Sequence, residues 1–216
     1  MPDLGSWEPL TPAAVCALFA GSGVRWWIAG GWSLDLLVGR QTRRHADIDV
    51  TVLRADAPAV RVHFASWDLH VADPPGTGTL CPWGVGEELA PDLHDVWCRP
   101  TPGGPWRFQI MIDDAEGEEW VYRRHARVRR PVATLRGRAS SPEMPVLSPE
   151  IQLLYKSKDR REKDEVDFTR DLPLLTEEEK EWLGRALETV APGHPWSARL
   201  SVTELTASRR SRDRSR

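Results

Sequence analysis

The chain of 216 residues holds only three cysteines, Cys16, Cys81 and Cys98, and no CxxC pair. That excludes a disulfide framework and a cysteine-based zinc site, and points to a reducing, cytoplasmic setting. Long apolar runs are also missing: none approaches the roughly 20 residues that cross a bilayer, so no membrane partner is expected. The start, Met1-Pro2-Asp3-Leu4-Gly5, lacks the basic and apolar regions of a secretory leader. No internal repeat occurs. His63, His70, His125 and His194 show no ligand spacing, and no Ser/His/Asp or Cys/His arrangement stands out. Nor is there an excess of positive charge. The net charge is −3, the segment 208–216 alone carries +4, and residues 1–207 carry −7. An acidic body matches a duplex phosphate backbone poorly and a cationic small substrate better. The basic end reads as a solvated, disordered tail, with a nucleic-acid contact as the alternative.

What is present is ordinary globular composition, 40% hydrophobic and 28% charged. That suffices for one core, or for one domain with a small helical appendage. Eleven tryptophans are unusual. They read as core packing, with some available to line a cleft for an organic substrate.

Thr11-Pro12 opens a helix over 11–22 that Gly21-Ser22-Gly23 stops. Val24 to Ala29 reads as a short strand ending at Gly30-Gly31, and Trp32 to Val38 as a helical segment closed by Gly39. Asp47 to Val52 alternates strictly, a strand with Asp47, Asp49 and Thr51 on one face and Ile48, Val50 and Val52 on the other. A helix near 56–65 and a strand from Trp67 to Val71 follow. Pro74 to Gly86 is a Gly/Pro-rich loop. Asp95–Arg99 and Trp106–Ile112 read as a hairpin, and Trp120 to Leu135 as further short strands. Ser148-Pro149-Glu150 opens a helix that pauses after Ser157 and resumes over Lys163–Arg170. Thr176-Glu177-Glu178-Glu179 is a capping box for a last helix. This order predicts an α+β fold, a mixed sheet flanked by helices with a small helical C-terminal part. The expected division is a domain over 1–145, a helical region over 148–192 and a tail over 193–216.

The chemistry concentrates in Gly30-Gly31-Trp32-Ser33 and, sixteen residues after Gly31, Asp47-Ile48-Asp49. Each half alone has a bland reading, a tight turn and a solvated strand face. Together they have a physical logic. Glycines let phosphates approach backbone N–H groups, Ser33 adds a hydroxyl, and a helix N-terminus favours an anion. Asp47 and Asp49 on one strand face lie roughly 7 Å apart. Two like charges there favour a cation, and Mg²⁺ takes carboxylate and phosphate oxygens together.

The stretches Trp27 to Asp35 and Gly39 to Val50 resemble the polymerase-β-type nucleotidyltransferases, and more narrowly the aminoglycoside and lincosamide adenylyltransferases. Pro149 to Lys158 and Lys163 to Phe168 resemble the C-terminal helix of that branch more loosely. The resemblance implies that Gly30, Gly31 and Ser33 hold the phosphates of ATP or another NTP and that Asp47 and Asp49 bind Mg²⁺. Arg40, Arg44 or His45 would neutralise phosphate charge, and Lys156 rather than Lys158 would reach the triphosphate.

A third acidic residue is usual in the family, and Gln109 stands at its closest positional match here. Gln cannot act as a base. Asp95 on the preceding hairpin strand is the preferred replacement, because a strand holds it rigidly. Asp113 or Asp114, just past the strand end, and His94 are the alternatives. Arg123, Arg124, Arg127, Arg129 and Arg130 read as one solvated strand face, or else as a phosphate or RNA contact. The Lys158–Lys163 charge run reads as an exposed helix surface. The resulting expectation is adenylyl transfer from ATP·Mg to a hydroxyl of a small molecule such as an aminoglycoside or lincosamide, by a monomer or homodimer. The alternatives are transfer to tRNA or protein, and nucleotide binding without turnover.

Overall fold

In this computed structural model, residues 5–201 are described, so the basic segment 208–216 lies outside the described residues. The main helices and strands follow in order: α1 (Pro12–Phe19), β1 (Trp26–Ile28), α2 (Gly30–Val38), β2 (Asp49–Leu53), α3 (Ala57–His63), β3 (Asp68–Ala72), β4 (Leu80–Pro82), β5 (Asp95–Arg99), β6 (Phe108–Glu116), β7 (Glu119–Val121), β8 (Arg129–Pro131), α4 (Pro149–Lys156), α5 (Glu162–Asp171) and α6 (Glu177–Val190). The strands form one mixed sheet in the order β1-β2-β6-β5-β3-β4, and β7 joins β8 to the far end of β6. Only β2 and β6 run parallel; the other pairs are antiparallel.

Alternation along the strands divides the sheet into two faces. Ile48, Val50, Val52, Val96, Phe108, Ile110 and Ile112 are buried on one, packed with Val15 and Phe19 of α1 and Val60 of α3. On the other, Trp27, Leu53 and Trp120 meet Leu34 of α2, Ile151 and Leu154 of α4, and Leu183 and Leu187 of α6. Phe168 of α5 stacks on Trp196 with ring centroids 4.1 Å apart. Burying a side chain of this size stabilises by about 1.5–3 kcal/mol, so these helices are held mainly by their apolar stripes.

The caps follow the sequence. Thr11 accepts from the Ala14 N–H at 3.2 Å, and Thr176 and Glu179 form the expected capping box. Ser148 departs from expectation: its hydroxyl donates to the Glu150 carboxylate at 2.9 Å and makes no cap bond. The segment before α4 runs beside β1, with the Ile28 N–H donating to the Pro145 carbonyl at 2.7 Å and the Leu147 N–H to Ile28 at 2.8 Å. This lays α4 beside the start of α2.

Several boundaries differ. The strand starts at Asp49, leaving Asp47 in the irregular segment before it. The loop expected over Pro74–Gly86 contains β4. β6 runs on to Glu116, so Asp113 and Asp114 are strand residues rather than past its end. The arginine-rich stretch is not one strand face: only Arg129 and Arg130 lie on β8, and the residues before it form turns. The 158–161 charge run is a turn between α4 and α5, not a helix.

Candidate active site

One cleft of about 400 Å³ opens between the β2–β6 part of the sheet, the start of α2 and the α4–α5 corner. Asp49 sits on its floor as the first residue of β2, and Asp47 lies on its rim. Burial pushes the Asp49 carboxyl up to about 7, with the Asp47 and Asp95 charges adding and Lys156 and Lys163 opposing. A carboxylate held this way carries a stored electrostatic cost that a cation removes.

The glycine pair has a packing reason in addition to phosphate access. Gly30 has φ +65°, and a Cβ there would collide with the Asp49 carboxylate. A Cβ at Gly31 would collide with the His45 ring and the Arg43 guanidinium. The Gly30 N–H is already taken: it donates to the Gln152 side-chain oxygen at 2.7 Å. The anion donors left at this turn are therefore the next first-turn amides of α2, which have no carbonyl partner one turn back. Ser33 is buried; its hydroxyl donates to the Gly30 carbonyl at 3.0 Å, which braces the turn, and it does not line the cleft.

A buried ionic network fixes the loop between α2 and β2. His45 Nε2 lies 2.7 Å from Asp35 Oδ2, both side chains almost fully enclosed. Asp35 also accepts from Thr42, whose hydroxyl Arg170 contacts as well. Burial alone would raise the Asp35 carboxyl, but the His45 and Thr42 hydrogen bonds outweigh it and hold it low. Arg43 reaches Asp167 at 3.3 Å. His45 is thus a structural clamp of this loop, its ring tilted against Trp32 with centroids 4.6 Å apart.

Of the other expected phosphate ligands, Arg44 lines the cleft and Arg40 does not. Lys156 lines it too, but its ammonium is held by Asp164 at 3.0 Å and Asp167 at 2.9 Å. Lys158 is exposed and outside the lining. Lys163, Arg43, Arg123, Arg124, Gln152, Thr51 and Tyr155 line the cleft without having been singled out for it by sequence. Arg124 donates to the Tyr155 carbonyl at 2.8 Å, and both Arg123 and Arg124 lie over the Tyr155 ring. Arg129 and Arg130 are occupied elsewhere, with Glu116 and Glu150.

Register decides the geometry of the third acid. Gln109 pairs with Asp49 across the parallel β2–β6 ladder, and Asp95 pairs with Met111, which pairs with Thr51. All share the face that carries Asp49. Asp95 Oδ1 is buried with no hydrogen-bond partner among the described residues. Asp113, on the same face, is engaged: Tyr155 donates at 2.6 Å and Trp120 at 2.8 Å, while burial raises its carboxyl. Arg54 holds Asp114, and His94 Nδ1 lies against the Ile112 carbonyl and Arg54. Asp95 is the candidate left with an uncommitted oxygen. Among the described residues, no three His, Cys, Asp or Glu side chains are grouped to hold a metal ion unaided.

A model of the aminoglycoside-2''-adenylyltransferase family matches residues 13–71, which span α1 through β3 and include both the glycine turn and the aspartate pair. The lincosamide antibiotic adenylyltransferase LnuA, in its lincomycin-bound crystal structure, is 18% identical, with a TM-score of 0.50 over 75% of this chain and 96% of that one. The chain has a nucleotidyltransferase fold, and it resembles the aminoglycoside and lincosamide adenylyltransferase branch. ANT(2'')-Ia, crystallised with adenylyl-2''-tobramycin, is 15% identical, with a TM-score of 0.46 over 80% of this chain and 92% of that one. An antigenic nucleotidyltransferase-like protein from Paracoccidioides brasiliensis is 16% identical, with a TM-score of 0.47 over 87% and 88%. No curated protein matches the sequence. No helix among the described residues is long and apolar enough to cross a membrane.

In this nucleotidyltransferase fold, sequence brought Gly30, Gly31, Arg44, Asp47, Asp49 and Lys156 to one cleft, and Asp95 to the face beside it. Gln152 escaped notice because nothing in a helix sequence marks which side chain will meet a strand end more than a hundred residues away. None of the cleft-lining residues is a tryptophan.

Proposed function

We propose that this cleft transfers a nucleoside monophosphate from an NTP, ATP in the first instance, to a hydroxyl of a small molecule. The observation that carries the reading is Asp49. It is pushed up to about 7, packed against a glycine that admits no side chain, and faces a cleft edged by Arg44, Arg123 and Lys163, cations that have no carboxylate partner among the described residues. The match to the aminoglycoside-2''-adenylyltransferase family model over residues 13–71, which include Gly30, Arg44 and Asp49, agrees with it.

The residues fit Mg²⁺. Asp47 and Asp49 supply two hard oxygens and the NTP phosphates would supply the others. When bound, the ion would neutralise phosphate charge and favour in-line displacement. The chain's own groups do the remaining work. Arg44 and Lys163 balance the triphosphate, and the free amides at the start of α2 receive a phosphate oxygen. Asp95 accepts the proton of the acceptor hydroxyl. The hydroxyl oxygen bonds to the α-phosphorus, the bond from that phosphorus to the bridging oxygen breaks, and pyrophosphate leaves. Residues 1–145 supply the carboxylates and the turn, and the helical region 148–192 supplies the opposite wall.

The test is pyrophosphate release from ATP and other NTPs with Mg²⁺ against lincosamides, aminoglycosides, nucleosides and bulk tRNA. Release with a small acceptor that disappears in Asp49→Asn supports the reading. Release that requires tRNA, or that survives in Asp49→Asn, contradicts it.

A further inference from the structure

The glycine turn is short of donors. The first four N–H groups of a helix have no carbonyl one turn back and must find partners elsewhere. In α2 the Ala29 N–H goes to the Asp49 carbonyl at 2.8 Å and the Gly30 N–H to Gln152 at 2.7 Å, while the Ser33 N–H is the first to bond back, to the Ala29 carbonyl at 3.3 Å. Among the described residues, that leaves only the amides of Gly31 and Trp32 for an anion. What stands at position 152 therefore decides whether the Gly30 donor is lost to the cleft or replaced.

The bond to Gly30 settles how the Gln152 amide is turned. A backbone N–H can only donate, so the atom it meets is the side-chain oxygen, and Nε2 is the other end of the same planar group. Nε2 makes no hydrogen bond among the described residues, while Gln152 is buried and lines the cleft. Its neighbours on the α4 wall are occupied. The Tyr155 hydroxyl donates to Asp113 at 2.6 Å, and the Lys156 ammonium lies 3.0 Å from Asp164 and 2.9 Å from Asp167. Of the three, Gln152 is the one whose amino donors are all uncommitted. It also stands at the metal end of the cleft, because Gly30 packs so closely on Asp49 that a Cβ would collide with the carboxylate.

The residue type fits two tasks at once. Glutamate could accept from Gly30, but it would set a negative oxygen beside Asp49 and a phosphate. Lysine could meet a phosphate, but it would leave the Gly30 N–H unpaired. Glutamine accepts with one end and donates with the other.

We infer that Gln152 is a phosphate ligand: its Oε1 holds the Gly30 turn, and its Nε2 donates to a non-bridging phosphate oxygen of the bound nucleoside triphosphate, at the part of the phosphate chain nearest Asp49. The side chain exchanges the backbone donor it consumes for one that reaches farther into the cleft. The inference rests on the transfer reading above and adds to it a residue of α4 that touches the substrate.

The experiment uses the full chain, Mg²⁺ and a non-hydrolysable ATP analogue. Calorimetry on the wild type comes first; absence of binding overturns the transfer reading and the inference with it. With binding established, side-chain amides are followed by NMR in protein labelled with ¹⁵N-glutamine. The sequence has three glutamines, Gln41, Gln109 and Gln152, and the Gln152 pair is assigned by its absence in Gln152→Glu. Saturation with the Mg²⁺-bound analogue should shift the Gln152 amide protons and slow their exchange with solvent. Two variants separate donor, brace and charge. Gln152→Glu keeps an acceptor for Gly30, and its affinity for the analogue should fall about tenfold or more with the fold intact. Gln152→Met removes the donor without adding charge, and its affinity should also fall about tenfold. A pure brace would leave Gln152→Glu binding like wild type, and a pure charge effect would leave Gln152→Met binding like wild type. Either result, or a Gln152 amide unmoved at saturation, would overturn the inference while wild-type binding leaves the transfer reading standing.

Discussion

Asp49 sits in an environment that works against its own ionisation, and that sets its behaviour with pH. Its folded pKa of about 7 lies above the ordinary carboxylate range, with burial the first cause. The sign follows: the stability this group contributes is full below its unfolded value, roughly 4, and is lost as pH rises through 7. A cation bound there removes the loss. Thermal unfolding should therefore show Mg²⁺·ATP stabilising the protein more at about pH 8 than at about pH 5.5, and Asp49→Asn should flatten that difference. The same variant should lose transfer by a hundredfold or more while folding at least as stably as wild type above neutrality. Asp164 has the opposite sign: burial raises it, but the Arg161 and Lys156 hydrogen bonds prevail and hold it low, so its contribution is present at neutral pH and lost in acid. At Asp95, substitution by Asn should lower kcat on the order of a hundredfold, and Gln109→Ala much less, in steady-state assays. A reversal of those two effects would put Gln109 at the chemistry.

Three elements meet at the glycine turn, and each is held by a different force. β1 delivers the turn, Gln152 of α4 ties its first amide, and the Asp35–His45–Thr42–Arg170 network ties the following loop to α5. Gly30→Ala should cost about 1–3 kcal/mol from its positive φ and should displace Asp49 as well, so urea melts and activity should fall together. Lys156 joins α4 to α5 through two buried carboxylates, so Lys156→Met should lower stability by about 3–5 kcal/mol in the same melts. Much of this was legible beforehand. The helices opened by Thr11 and Thr176, the β5–β6 hairpin and the break between α4 and α5 all carry local signals in caps, turns and periodicity. β4 was not legible, because Leu80-Cys81-Pro82 becomes a strand only by pairing with β3. The continuation of β6 through Asp113 was missed for a like reason: Tyr155 and Trp120, distant or out of register in sequence, satisfy that carboxyl.

For the molecule as a whole, the sheet keeps the two functions of its faces apart. One face is apolar from β2 to β3 and anchors α1 and α3; the other carries the aspartates, and the C-terminal helices close the part of it near β2 and β7 while Trp106 and Trp7 pack on Trp97 farther along. The resemblance in sequence covered the strand-turn-strand core well, because glycine turns and alternating aspartates are local patterns. On the opposite wall it reached only loosely, through Pro149 to Lys158 and Lys163 to Phe168, and it singled out Lys156 there but neither Gln152 nor Lys163, while Arg123 arrives from a separate element. The central claim is that Asp47 and Asp49 bring a divalent cation and a nucleoside triphosphate to the glycine turn. Calorimetric titration of ATP with and without Mg²⁺, into wild type and Asp49→Asn, tests it most directly. Binding that requires Mg²⁺ in the wild type and is lost in the variant is the expected result; equal binding to both proteins, or binding indifferent to Mg²⁺, would contradict it.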